Sequence, residues 1–160
     1  MATEIIHGIN SYFTFRLGNE LFAVNIGNIT KILEMVEITR MPNSPRYFKG
    51  IINLFGDVLP IFDGRLKFGF PESEFTRDTC ILVLVFELEG QAVSSGIIVD
   101  SVEKVITFEP EQIKPAPTVG KGFNTEFIHG IVSFNDEFVI ILNIEKIFSE
   151  EEINLIIAVD

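Results

Sequence analysis

Polar and apolar residues alternate along this chain in short bursts. From Ser11 to Asn25, Phe13, Phe15 and Leu17 alternate with polar neighbours, Gly18-Asn19 offers turn chemistry, and Leu21 to Val24 runs back. That pattern predicts a β-hairpin. Asn25 ahead of Ile26-Gly27-Asn28 predicts a short helical turn, and residues 30–41 predict one or two further strands. Ser44-Pro45 has the chemistry of an N-cap followed by a first helical residue, so a short helix is expected over residues 45–49. Gly50 to Leu54 predicts a strand, Phe55-Gly56-Asp57 a tight turn, and Val58 to Phe62 the returning strand. Pro60 cannot donate to a ladder, which points to an edge position or a bulge.

The line KGIINLFGDVLPIFDGRLKF, from Lys49 to Phe68, is then written a second time. HGIVSFNDEFVIILNIEKIF, from His129 to Phe148, lies on it without a gap. Gly50 falls on Gly130 and Phe68 on Phe148, an offset of 80 residues in a chain of 160. The second copy places Asn135-Asp136-Glu137 at the turn and Ile140 where Pro60 stood. Residues 69–78, polar with Gly and Pro, read as a crossing between lobes. After them the hairpin-then-turn pattern of the N-terminal part returns: Val99-Asp100 matches Val24-Asn25, and Lys104-Val105 matches Lys31-Ile32. Prolines 110, 115 and 117 predict a surface loop over residues 108–124. Ser149 and Glu152 have the spacing of a capping box, which predicts a C-terminal helix. Two halves of about 70 residues are each marginal alone and gain by sharing a seam. An all-β protein of two small barrels is the expectation.

Composition narrows the chemistry. The chain is 47% apolar, with 16 Phe and no Trp, as suits a dry core. Twelve basic against 23 acidic residues give a net charge of −11, unfavourable for nucleic acid and for anionic membranes. The single cysteine, Cys80, sits in an apolar run and reads as core filling, so a reducing compartment fits. The start lacks the basic head and apolar stretch of a signal peptide, and the longest apolar run, 80–86, is too short to cross a bilayer. A soluble intracellular protein is expected.

Catalytic equipment is hard to assemble from these residues. His7 and His129 are far apart and, with one cysteine, form no recognisable zinc spacing. Gly120-Lys121-Gly122 lacks the rest of a phosphate loop. Glu150, Glu151 and Glu152 suit a helix N-terminus, and Asp63 and Asp100 close strands where Asp caps the next turn. The remaining signal is surface. Val24, Ile29, Ile32 and Met35 on one side, with Val99, Val102 and Val105 on the other, either fill an interlobe core or line a groove for an amphipathic helix.

Three blocks carry a family resemblance: residues 43–68, residues 96–117 with QIKPAP, and residues 127–148 with LNIEKIF. Together they resemble the CheW family of bacterial chemotaxis coupling proteins over residues 11 to 157. The resemblance implies two pseudo-repeated five-stranded barrels like Src homology 3 domains, packed side by side, with short connecting helices. The lobe cores would span about 12–68 and 79–148, with exchange of strands or helices between lobes allowed. It implies a non-catalytic adaptor without cofactor or metal. Its partners would be the regulatory domain of the histidine kinase CheA and the tip of a methyl-accepting chemotaxis receptor. A cytoplasmic monomer recruited to receptor arrays is expected. A CheW-like scaffold in a non-chemotaxis pathway, or a small-ligand binder or enzyme using the interlobe cleft, are the alternatives.

Carried over residue by residue, the receptor-binding groove would include Ile29, Lys31, Ile32, Gly50, Gly96, Val99 and Val105. Two positions depart from the family pattern. Phe55 stands in NLFG where the family usually has NLRG, and Lys31 stands where some members carry a carboxylate. Both changes remove a familiar charge arrangement, and they place any partner contact made by Phe55 on a different chemistry.

Overall fold

The computed structural model describes residues 10–88, 90–117, 126–148, 152–154 and 156. Strands β1 (Ser11–Leu17) and β2 (Glu20–Asn25) form the first hairpin, turning at Gly18 with φ +61°. The side chain of Asn25 accepts the Gly27 amide and starts a 3-10 turn over Ile26–Asn28, as the sequence predicts. There follow β3 (Ile29–Glu34), β4 (Phe48–Leu54), β5 (Asp57–Asp63) and a single helical turn α1 (Gly64–Lys67). The second half holds β6 (Cys80–Leu88), β7 (Gln91–Val99), β8 (Ser101–Thr107), β9 (Ile128–Phe134) and β10 (Glu137–Leu142).

These strands make two five-stranded sheets, ordered β8-β1-β2-β10-β9 and β3-β6-β7-β5-β4. The orders are the same once each element is replaced by its repeat partner. Each has a hairpin at its heart, a parallel pair beside it (β2 with β10, β7 with β5), and a second hairpin outside. The sheets do not follow the halves of the chain: strands are exchanged between them. After β2 the chain leaves its sheet and β3 joins β6; after β7 it leaves again and β8 joins β1. Each sheet is therefore completed by strands from the other half.

Three apolar clusters follow. One lies within the first sheet, around Leu21, Ala23, Phe108, Val132, Val139 and Ile141. Another lies within the second, around Ile52, Leu59, Ile61, Ile81, Val83 and Ile98. The third is the seam between the sheets. Along β2, Leu21 and Ala23 face their own sheet's core while Phe22 and Val24 face the seam; along β6, Ile81 and Val83 alternate in the same way with Leu82 and Leu84. Strands buried on both faces explain why CILVLVF reads as a continuous apolar run rather than an alternating one. Ten of the 16 phenylalanines belong to the seam or pack against it, so the aromatic content is mostly spent on joining the lobes.

One local expectation fails, and another is met by its second alternative. No helix forms over residues 45–49: a turn closes from the Phe48 amide to the Pro45 carbonyl, 3.0 Å, and Ser44 Oγ donates to the Met41 carbonyl instead of capping. Strand pairing wins there, because the Asp63 amide donates to the Tyr47 carbonyl at 2.7 Å and Phe48 is buried against Phe62. Pro60 is not at an edge, since β5 lies between β4 and β7, but it stands beside a bulge, as its missing N–H allowed: Ile61 pairs with Gly50 and Phe62 with Phe48, leaving Lys49 extra. The partner of Pro60, Ile51, gives both its amide and its carbonyl to Thr39 on the far side, each at 2.9 Å. The Ile51–Pro60 pair needs no hydrogen bond, and the missing N–H faces β7 just before the ladder with Ile61 begins.

That Thr39–Ile51 bridge recurs in the second copy, where Lys114 and Ile131 exchange bonds of 2.9 and 2.8 Å. Part of the proline-rich loop thus covers the β9 edge as residue 39 covers β4. Its 3-10 turn, Pro110–Gln112, carries a capping box from Glu109. Residues 152–154 are helical and Ile156 is fully buried. His7, Lys121, Ser149, Glu150 and Glu151 lie outside the described residues.

Candidate partner-docking surface

β3 and β8 occupy the same position in the two sheets: each ends its sheet order, paired on one side only among the described residues. Both carry a register shift at the same place. Ile29 pairs with Leu84 and Ile32 with Leu82, so three steps along β3 match two along β6. Val102 pairs with Phe15 and Val105 with Phe13, again three against two. A strand without a bulge would put residues three apart on opposite faces. The bulge brings Ile29 and Ile32 to one face, and Val102 and Val105 to another.

That face is the seam face, because Leu82, Leu84 and Phe15 all belong to the seam cluster. Ile29 and Val102 are half-buried against it, while Ile32 and Val105 reach outward, 46% and 47% exposed. Each edge strand thus extends the apolar seam into solvent by one residue.

Other candidate residues divide sharply. Val24 and Val99 are buried in the seam and offer no surface. Gly96 is buried against Ile61 and Ile81, where an added Cβ would come within 2.6 and 2.9 Å of their side chains. Met35 packs on the core of the second sheet. Gly50, at φ +140°, lets the backbone of Thr39 approach so closely that a Cβ would sit 2.0 Å from its carbonyl oxygen. Gly50, Gly96 and Val99 are buried and set the shape of the sheets, while motif membership alone points to them as groove residues.

The two departures from the family pattern meet in space. Lys31 Nζ stands 5.0 Å from the ring centre of Phe55, a side chain 84% exposed. Phe55 begins the β4–β5 turn with φ +52°, an uncommon conformation for a bulky residue. Lys104 stands likewise over Phe134, at 5.4 Å. Since Lys31 and Phe55 come from opposite ends of the sheet order, as do Lys104 and Phe134, these contacts show that both sheets curl until their edges meet. At this position a cation rests on an aromatic face.

Some of the surface was missed from the sequence. Val58 and Phe138, repeat partners 80 residues apart, are exposed apolar residues on the outward faces of β5 and β10. Strand alternation alone gave no reason to single them out. Near Phe138, Arg16 reaches both Glu137 (2.8 Å) and Glu103 (3.0 Å). Its hydrogen bonds to Glu137 and then Glu103 raise the guanidinium pKa, and the same bond holds the Glu137 carboxyl below its ordinary value.

Among the described residues no group of three or more His, Cys, Asp or Glu could hold a metal ion. Burial, then the charge of Asp78, pushes the Cys80 thiol up, which keeps it protonated in the core. Asp63 caps α1 and binds Arg65, so its carboxylate is already committed. No helix among the described residues is long and apolar enough to cross a membrane.

Comparison with known proteins agrees with this geometry. The model of the CheW-like domain matches residues 11–152. Chemotaxis protein CheW of Klebsiella aerogenes is 36% identical over 145 residues, covering 91% of this chain and 85% of that protein. Its counterpart in Treponema pallidum is 31% identical over 140 residues, covering 88% and 82%. The crystal structure of the scaffolding protein TtCheW from Thermoanaerobacter tengcongensis superposes with a TM-score of 0.77, at 31% identity and 88% coverage of each chain.

Proposed function

The chain belongs to the CheW-like family, and from that premise we propose that it is a non-catalytic adaptor coupling chemoreceptor tips to the histidine kinase CheA. The observation that carries this reading is the pair of bulged edge strands, each extending the apolar seam outward through Ile32 or Val105. An apolar strip bordered by strand edges suits the apolar face of an amphipathic helix, which is what a receptor tip offers. The adaptor works in the cytoplasm, as a monomer that needs no cofactor, at the inner face of the membrane where the receptors end. Its two ligands occupy different surfaces, so that one molecule holds both.

The contact of Lys31 with Phe55, the two departures from the family pattern, favours a second reading in which the same scaffold serves a signalling pathway other than chemotaxis. Pull-down with a receptor-tip fragment and a CheA regulatory domain separates the two. The adaptor reading expects both to be retained. Ile32→Asp should weaken receptor capture about tenfold or more while the circular dichroism spectrum stays unchanged. Retention of neither fragment, or unfolding of the variant in place of selective loss, would sink it.

A further inference from the structure

The segment leading into β4, which Thr39 pairs to the strand's edge, bears a trough lined by residues 40–46 with Phe48 and Lys49. Arg40, Arg46 and Lys49 stand round a concavity of about 570 Å³ on a chain whose net charge is −11. Glu72, from the crossing between α1 and β6, lines it too. One carboxylate oxygen accepts from Arg46 Nη2 at 2.7 Å and the other from Lys49 Nζ at 3.2 Å. Arg40 lines the same space and makes no side-chain ion pair or hydrogen bond among the described residues. A second concavity of about 500 Å³ shares Arg40, Lys49 and Glu72, and its further wall is mostly apolar, with Val36 and Phe75 about half exposed and Glu37 between Val36 and Ile38. Met41, also exposed, belongs to the first.

A cationic wall beside an apolar one, on an otherwise acidic surface, is complementary to a particular ligand chemistry. We propose that this trough docks an acidic amphipathic segment of a partner protein, whose carboxylates displace Glu72 from Arg46 and Lys49 and engage Arg40. Glu72 is the internal stand-in. It shows how two cations grip one carboxylate there, and it belongs to a stretch without helix or strand, held at this point by exposed pairs that are easily exchanged. Arg46 draws the Glu72 carboxyl below its ordinary value, with Lys49 adding to it, as an acid bound in a cationic cradle requires. A second copy is disfavoured as occupant, because two chains of charge −11 repel. The proposal does not need the adaptor reading, and its test uses neither receptor nor kinase.

Fluorescence anisotropy of the full chain with a labelled peptide of interspersed glutamate and leucine tests it, beside the lysine-for-glutamate peptide. The glutamate peptide should bind and weaken with salt, the lysine peptide should not bind, and Arg40→Glu with Arg46→Glu should lower affinity about tenfold or more. Glu72→Gln should tighten binding about threefold, a gain that no misfolding can imitate. Equal binding of both peptides, no gain from Glu72→Gln, or full displacement by millimolar phosphate alone would overturn it. So would self-association in sedimentation that Arg46→Glu abolishes, since the occupant would then be a second copy.

Discussion

The stretches after β5 and β10, DGRLKF at residues 63–68 and NIEKIF at 143–148, occupy the same place in the two copies and do different work. In the first, Arg65 is almost wholly buried. Its guanidinium bonds both oxygens of Asp63 at 3.1 Å, lies 3.5 Å from Asp100, and donates to the carbonyl and hydroxyl of Ser73 at 2.9 and 2.6 Å. Phe75 covers it, 5.1 Å away. Burial lowers the Arg65 pKa, but the bond and charge of Asp63, with Asp100 and Glu72, outweigh it, so the net shift is upward. Asp100 also accepts the Gly18 amide at 2.7 Å, and so the network ties the hairpin of one sheet to the helical turn of the other. In the second copy the matching Glu145 is exposed, and Ile144, Ile147 and Phe148 fill the seam.

The comparison teaches that a duplicated sequence is held to its original where the backbone demands it and released elsewhere. Both copies keep the glycine under a crossing backbone, the bulge in the edge strand, and a lysine over an aromatic ring. They differ where neighbours differ. The first copy is followed by the crossing loop, which can roof a buried ion pair; the second is followed by residues that meet the seam.

Breaking the buried network should give the largest effect. Arg65→Ala leaves the Asp63 carboxylate buried without its main partner and should cost about 3–5 kcal/mol in urea denaturation. Glu145→Ala, the matching change, should stay within about 0.5 kcal/mol. Equal losses would show that the two stretches are not distinguished as described.

The glycines sharpen the comparison at the next level. Gly50→Ala drives a Cβ into the Thr39 carbonyl at a positive φ and should cost about 3 kcal/mol. At Gly130 an added Cβ would first meet the Ile113 side chain, at 2.3 Å, and then the Lys114 carbonyl at 3.0 Å. A side chain can move, so Gly130→Ala should cost about 1–2 kcal/mol, read from the same denaturation curves. A larger loss at Gly130 would contradict the order.

The smallest effect concerns Arg16 and Glu137, an ion pair at the start of the second copy's returning strand. The folded-state value of Glu137 is depressed, chiefly by its hydrogen bond to Arg16. Its stabilising contribution is therefore full above the ordinary carboxylate range, about pH 4.3, and is lost as pH falls through the lower folded value. Arg16→Gln should melt at most a few degrees below the parent near neutrality, and the two should converge in acid. A gap that widens as pH falls would reverse the assignment.

Much of the fold could be read from local pattern. The hairpin turns at Gly18, Phe55-Gly56 and Asn135-Asp136 stand where turn chemistry put them, because each needs a residue that tolerates positive φ or accepts its strain. The Asn25 cap, the repeat and the family resemblance were equally plain. Ser44-Pro45 misled, since cap chemistry competes with strand pairing and the burial of Phe48 decided the outcome. In the candidate site, Ile29, Ile32, Lys31, Phe55 and Val105 lie at or near the surface, whereas Gly50, Gly96 and Val99 are interior. Motif membership carries no information about which side of a sheet a residue occupies once a bulge intervenes.

By itself, then, the order of residues determined the elements, their turns and their duplication, because periodicity and turn propensity act over a few neighbouring residues. Which hairpin joined which edge strand was left open, since two similar copies offer nearly equivalent partners. The tertiary structure resolved it by passing β3 and β8 across a shared aromatic seam, and only there did the bulged strands, the lysine–phenylalanine contacts and the buried Arg65 acquire their positions. These depend on contacts between residues far apart in the chain, which no local pattern encodes.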